Sequence, residues 1–440
     1  MRRLWVERSA NVRGLGGLVH RIWTLGVWGG IAACLAGPSG LVPSAGAGAE
    51  EIQKPKVCYL GAEAGGGSSQ VVVVEGAALA HTAQMFPLNA QGKLVGAESV
   101  EAQTRQVLAN LQKALALVGS SLEDLVRLEI HVTSPETTAR VQKVLAEQFT
   151  GQTKPTVNWV LTPLAVQGAL VAADAVAVAR LEKTSPETAS AAQVLRKRSA
   201  DLVGLATAAH VAVLPAGGTV YLSGQPEKGE PVPAAKKSLE ALLAMLGQMG
   251  LGPEHVVQVK VFLGPMEQAE TVQKELVVLW GKEIAPPMTF VQWKSSAPVE
   301  IELVAADPPK PGQTVEKPVH YYNPPGVEPS PRFSRAARVR SSKIIYIGTL
   351  ASPQPAGGAQ QVEAIFDQLE KLLEANGSDL RHLVEATYYC ADPASSKALD
   401  AIRSKIFDPK RPPAASKAMV AGVAIPDRTV VLDMIAVPKP

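Results

Sequence analysis

Apolar and polar residues alternate over Val126, Leu128, Ile130 and Val132, a spacing of two that predicts a strand with one buried face. The same alternation returns at Val257, Val259, Val261 and Leu263, and again at Val384, Ala386, Tyr388 and Cys390, a period of roughly 130 residues. Ahead of each strand the spacing changes to that of a helix. It runs through Leu108, Leu111, Leu115 and Val118 in a helix expected over 101–118, through Leu239, Leu242 and Leu246, and through Ile365, Leu369 and Leu372. A glycine closes each helix: Gly119, Gly250 and Gly377. After each strand a cap and proline pair opens a second helix: Ser134-Pro135, Gly264-Pro265 and Asp392-Pro393. In the first copy that helix buries Val141, Val144, Leu145 and Phe149. Residues 71–74 and 78–81 read as a hairpin around Glu75-Gly76. Each copy ends on an apolar strand with a carboxylate near its centre: Asp174, Glu302 or Asp433.

Strand, helix, strand, helix, strand is an α+β unit, with a helix pair on one face of a mixed sheet. A single unit would leave an apolar sheet face and unpaired strand edges in water. Tandem copies in one chain are therefore expected to cover one another as a monomeric pseudo-trimer, in which clefts between units lie between non-identical partners and are free to differ. Polar, proline-containing linkers are expected at 182–197 and 307–318. The chain divides accordingly into a leader, 1–49, and units at 56–181, 198–307 and 318–440.

The 440 residues are 46% hydrophobic, enough for several cores, and the formal charge of +3 comes from interspersed signs. That leaves no basic stripe for nucleic acid, so no nucleic-acid partner is expected. Seven histidines are scattered without paired spacing, so neither a metal site nor a cofactor is expected. The leader has Arg2, Arg3, Arg8, Arg13 and Arg21 before an apolar run from Ile22 to Ala36, then Ala45-Gly46-Ala47-Gly48-Ala49. It reads as a secretory signal cleaved near Ala47 or Ala49, giving an exported protein with no stable membrane span in the mature chain. A lipoprotein box ending at Cys34 and an uncleaved anchor stay open as alternatives. Export would leave Cys58 and Cys390 to form a disulfide or, for Cys390 on its strand's apolar face, a buried thiol. Gly65-Gly66-Gly67-Ser68-Ser69 lacks the ending of a phosphate loop. Arg332, Arg335, Arg338 and Arg340 alternate with apolar positions, either as a solvated face or as the lining of an anion cleft.

Several phrases resemble the YjgF/YER057c/UK114 (RidA) family: Ser69 to Val73, His81-Thr82-Ala83-Gln84, Gly92 to Gly96 and Glu101 to Leu111 in the first unit. Val220 to Pro226 with Val299-Glu300-Ile301-Glu302 is similar in the second, and Phe333-Ser334-Arg335-Ala336, Tyr346-Ile347-Gly348 and Val430 to Val437 in the third. The resemblance implies chorismate-mutase-like units forming a trimer with sheets inside and helices outside. It also implies hydrolysis of reactive enamines and imines in clefts between units, where an arginine fork holds the substrate carboxylate and a carboxylate helps place water.

That arginine lies two residues after a proline that follows the second helix, and here the positions read Pro155-Thr156-Val157, Pro286-Pro287-Met288-Thr289, which leaves Met288 or Thr289 open, and Pro413-Ala414-Ala415. No copy keeps it. Small anionic metabolites of the imino or keto acid type are therefore the expected ligands, with deaminase activity reduced or altered. The alternatives are an active deaminase with a substitute cation, of which Lys417 is the nearest, and a non-catalytic interaction module. Asp174, Glu302 and Asp433 are the carboxylate candidates, and a strand-end hydrogen bond to backbone is their structural alternative. The family's serine is kept as Ser223, softened to Thr82 and lost to Ile347, and its aromatic remains as Phe333, where core packing is the alternative. Thr82, Ser223, Gln225, Phe333 and Arg335 complete the expected ligand contacts.

Overall fold

The computed structural model describes residues 55–62, 65–181, 193–309 and 317–440. The leader at 1–49, with its lipidation alternative at Cys34, lies outside the described residues, as do the middles of both linkers. The first repeat runs β1 (Lys56–Leu60), β2 (Val71–Glu75), β3 (Leu79–Thr82), α1 (Val100–Ala116), β4 (Leu125–Val132), α2 (Pro135–Gln148), β5 (Thr156–Leu161) and β6 (Val171–Val178). The second runs β7 (Leu195–Lys197), β8 (Val211–Leu214), β9 (Thr219–Glu227), α3 (Pro231–Gln248), β10 (Val256–Leu263), α4 (Ala269–Val277), β11 (Met288–Gln292) and β12 (Val299–Ala306). The third runs β13 (Val319–Tyr322), β14 (Ala336–Val339), β15 (Lys343–Ala351), α5 (Gly358–Ala375), β16 (Leu383–Cys390), α6 (Pro393–Ile406), β17 (Ala414–Met419) and β18 (Val430–Ala436).

The helices start and stop where the sequence placed them. Gly119, Gly250 and Gly377 follow α1, α3 and α5 at φ of 69°, 77° and 70°, a conformation that a side chain would strain. Two details differ. A short 3₁₀ turn at Met266–Gln268 precedes α4, so the helix begins later than Pro265. On α5 the fully buried position is Leu373, with Leu372 half-buried.

Three six-stranded sheets result, ordered β5-β4-β6-β3-β8-β7, β11-β10-β12-β9-β14-β13 and β1-β2-β15-β18-β16-β17. β4 pairs parallel with β5, β10 with β11 and β16 with β17, each across a helical crossover, while the closing strand runs antiparallel on the other side. These are mixed α+β sheets, as expected. The hairpin expected around Glu75-Gly76 does not form. β2 pairs with β15 of the third repeat, and β3 sits between β6 and β8 in another sheet. The Gly76 N–H donates to Ser342 O at 2.8 Å, so the chain passes between sheets instead of turning back. In the same way β8 and β14 each join the sheet of the preceding repeat. The opening strand pair of every repeat completes another repeat's sheet, and β1–β2 closes the third.

Each sheet packs one face on its helices, with Leu111, Leu115 and Val144 against Leu128 and Ile130 in the first. The opposite faces meet in one buried cluster drawn from all three sheets, including Val72, Val126, Val176, Val257, Tyr346 and Val384. The expected second linker, 307–318, lies between β12 and β13. Asp307 at its start is buried and receives both Arg338 and Arg340, at 2.6 and 3.0 Å. Those arginines form neither a solvated face nor an anion cleft. Cys390 is buried as a free thiol, not joined to Cys58, and burial pushes its pKa up to about 12. Among the described residues no helix is long and apolar enough to cross a membrane.

Candidate functional site

Between the apolar residues of β4, β10 and β16 that face the helices stand residues that face inward. At equivalent positions these are Arg127, Gln258 and Glu385, then Glu129, Lys260 and Thr387, then His131, Phe262 and Tyr389. Identical subunits would set three copies of one charge around a common axis; the fused chain places complementary groups there instead. The Lys260 ammonium lies 2.5 Å from Glu129 Oε1 and donates to the Tyr389 hydroxyl at 2.9 Å. Arg127 donates to the other Glu129 oxygen at 2.6 Å. Burial alone would raise the Glu129 carboxyl, but Lys260 and Arg127 outweigh it and hold the pKa at about 2.

All the carboxylates singled out from the closing strands face this axis. Asp174 meets His131 Nε2 at 3.0 Å and Gln258 Nε2 at 3.3 Å, Glu302 lies 4.0 Å from Lys260, and Asp433 accepts from Thr349 Oγ1 at 2.8 Å. Their recorded partners are side chains, not the strand-end backbone considered as the alternative. Burial pushes Asp433 up to about 7, and it does the same to Glu302 against the pull of Lys260. The axial cavity, lined by Arg127, Glu129, Asp174, Gln258, Lys260 and Glu302 among others, has a volume of about 40 Å³. That admits roughly three water molecules and no amino-acid-sized ligand. Glu129, His131 and Asp174 bring their ligand atoms within 4.8 Å of one another, yet the Lys260 ammonium already sits on Glu129 where a metal ion would need that oxygen. The axis is an ion-pair network around a small cavity.

The seams expected to hold the clefts lie elsewhere, where β5, β11 or β17 abuts the neighbouring sheet. Val157, Met288 and Ala415, at the arginine positions, line these seams. Gln84 N–H donates to Met288 O at 3.2 Å, Ala415 N–H donates to Ser223 Oγ at 2.7 Å, and a Cβ on Gly348 would come within 3.3 Å of Val157 O. In the first seam Gln84 bonds Phe290 N–H and C=O across the gap, at 3.3 and 3.2 Å. In the seam between β15 and β5, Thr349 Oγ1 accepts from Trp159 N–H at 2.8 Å. Between the second and third repeats Gly224 holds the position of Gln84 and Thr349, and the neighbouring Gln225 turns to its own strand, donating to Glu227 Oε1 at 3.3 Å and Pro226 O at 3.4 Å.

This third seam also holds a carboxyl that the others lack. Two residues before the closing-strand carboxylates stand Ala172, Glu300 and Val431. Glu300 is buried, and burial, then the charge of Glu302, pushes its pKa up to about 8. It lies over Gly224, where an added Cβ would stand 2.1 Å from Glu300 Oε1, so any side chain there would have to displace the carboxyl. Ser416 of β17 faces it, and the charge of Lys417 acts on it more weakly. Lys417 is bound to Asp400 at 2.8 Å, and Asp400 also receives Arg403 at 2.6 Å and Arg332 at 3.3 Å, leaving the group net positive.

The other expected contacts divide between structure and site. Ser223 donates to Ser334 O at 2.5 Å while accepting from Ala415, and Thr82 accepts Ala175 N–H at 2.9 Å, so both hydroxyls bind backbone. Phe333 is half-buried and absent from the core clusters; the Arg335 guanidinium stands 5.3 Å from its ring. Both belong to the seam of Glu300, because Arg335 O accepts Ser223 N–H at 3.0 Å and Ser334 N–H reaches Pro413 O at 2.9 Å.

Repeated α+β units with clefts at their seams define the class, and comparison with known proteins gives the family. The family model described as Endoribonuclease L-PSP matches residues 63–179, 204–307 and 326–438. The chain belongs to this family, also called YjgF or RidA, and carries it in three tandem copies. Among similar solved structures, the Rid-family protein YyfB of Yersinia pestis is 33% identical over 26% of this chain and 86% of its own, with a TM-score of 0.24. The YjgF-family protein NMB1025 of Neisseria meningitidis is 21% identical over 28% of this chain and 96% of its own, with a TM-score of 0.22. RidA of a Psychrobacter species is 20% identical over 21% and 79%, with a TM-score of 0.20. No curated protein matches the chain.

Proposed function

We propose that the seam between the second and third repeats is the functional cleft, that it binds a small imino or keto acid, and that it hydrolyses imines weakly. The observation that carries this reading is Glu300, a buried carboxyl with a pKa of about 8 that is neutral at pH 7 and stands beside Ser416. A neutral carboxyl can donate its proton to an imine nitrogen, making the carbon electrophilic; water then adds and ammonia leaves. The net positive group of Lys417, Arg332 and Arg403 around Asp400 favours an anionic ligand at the rim. Because its cations share one carboxylate and none stands at the arginine position, capture is weak. The endoribonuclease of the family description is not part of this reading, since Arg338 and Arg340 are tied to Asp307.

Hydrolysis of 2-iminobutanoate, followed by competition with semicarbazide, tests the proposal. Wild type should turn over slowly and Glu300→Gln should abolish turnover. Ala415→Arg should raise capture by about ten- to a hundredfold, the worth of a charge-assisted fork. Val157→Arg should change nothing, because its seam has Val431 in place of Glu300. Turnover unaffected by Glu300→Gln, or a larger gain from Val157→Arg than from Ala415→Arg, would rule this cleft out.

A further inference from the structure

Glu300 and Glu302 are two residues apart on β12 and project from the same face of the strand, so the cleft and the axial network come within one side chain of each other. The Ser416 hydroxyl of β17 faces both carboxyls. Ser416 is 2% exposed, and its Oγ has no geometrically satisfied hydrogen bond, which leaves it available to donate to one carboxyl and accept from the other. The charge of Lys417 acts on Glu300 from the other face of the same strand, while Lys260 of β10, Glu129 of β4 and Glu385 of β16 act on Glu302 from the axis. Two like charges this close in a buried site do not both ionise freely. Lys260 favours charge on Glu302, and Glu385 and Glu129 oppose it.

We propose that Glu300 and Glu302 share a proton through Ser416, and that Lys260, held by Glu129, sets which of them keeps it. Glu302, Ser416 and Lys260 are then positioning residues for the acid in the cleft, reaching it through the pleat of β12. The proposal rests on the cleft reading only in giving that proton a use; the sharing itself is a property of the folded chain.

The test is a pH titration of glutamate side-chain carboxyl ¹³C shifts in the full chain, with Glu300 assigned by its loss in Glu300→Gln. In wild type the Glu300 curve should be biphasic, with a second inflection at the midpoint of Glu302. Glu302→Gln removes the like charge without changing shape, so Glu300 should titrate in a single step at lower pH, its proton affinity down by at least about tenfold. Ser416→Ala removes a donor to the ionised form and should move the midpoint up. These opposite directions are what a merely structural role would not produce. The dependence of 2-oxobutanoate affinity on pH should shift with the same signs. A single-step Glu300 curve in wild type, with its midpoint unmoved by Glu302→Gln, would overturn the proposal. If the cleft reading alone were wrong, the ¹³C shifts would still behave as stated while 2-oxobutanoate failed to bind.

Discussion

Lys260→Met is expected to cost about 3–5 kcal/mol and to lower the melting midpoint by about 5 °C. The ammonium it removes lies 2.5 Å from Glu129 and is 9% exposed. Without it Glu129 stays buried with Arg127 as its remaining cation, 2.6 Å away. Glu129→Gln in the Lys260→Met background should recover most of the loss, since replacing both members of a buried pair is far cheaper than orphaning one. The pH dependence follows from the lowered carboxyl. Stability from a pKa depressed from 4.5 to about 2 is fully present above 4.5 and lost as pH falls through about 2, so the gap between Lys260→Met and wild type should close over that window. Thermal melts from pH 7 downward measure this. A Lys260→Met protein melting with wild type at pH 7 would show that the axial pair carries no stability.

Removing residues 56–75 should be nearly as severe. It takes β1 and β2 from the third sheet, uncovering the edge of β15 along its register from Lys343 to Ile347 and opening the shared inner cluster at Val72 and Val74. An exposed edge of this kind pairs with other chains. Light scattering should give the mass of one chain for the intact protein and mixed, larger species for the truncated one. The remedy tests the cause. Lys56, Glu75 and Lys343 share a register row, and Ile345 pairs with Ala436, so the start of β1 and the end of β18 lie at the same end of the sheet. They are about 14 Å apart across three strand spacings. A circular permutant that begins at residue 77 and carries 55–75 on a short linker after Pro440 should therefore be monomeric and melt near wild type. A truncated protein that stayed monomeric and folded would contradict the exchanged-strand closure.

Much of this fold is legible in the sequence because its signals are local. The period of Leu108, Leu111 and Leu115 and the positive-φ glycine after each first helix concern residues within a few positions of one another. Pairing is not local. The runs that became β2 and β3 have the same apolar character whether they bond to each other or to β15 and β8, so the Glu75-Gly76 turn was misread. The site was half legible. Asp174, Glu302 and Asp433 stood out as carboxylates in apolar strands, but strand alternation does not say whether an inward residue meets the axis or a seam. Glu300 projects from the same side as Glu302, and the alternation does not tell the two apart. Its signal was available: Ala172 and Val431 occupy the same position in the sister repeats, so only one copy kept a carboxyl there. The axial network was visible too, as Arg127, Glu129 and Lys260 between the apolar positions that defined the strands.

The central claim is that fusion has left one working cleft among three unequal seams, and binding stoichiometry tests it most directly. Isothermal titration of the intact chain with 2-oxobutanoate, a stable keto acid of the expected shape, should give a single site per chain, weakened by Lys417→Ala and lost in Gly224→Val, whose side chain would displace Glu300. Equivalent sites at every seam, or one site indifferent to both substitutions, would contradict it.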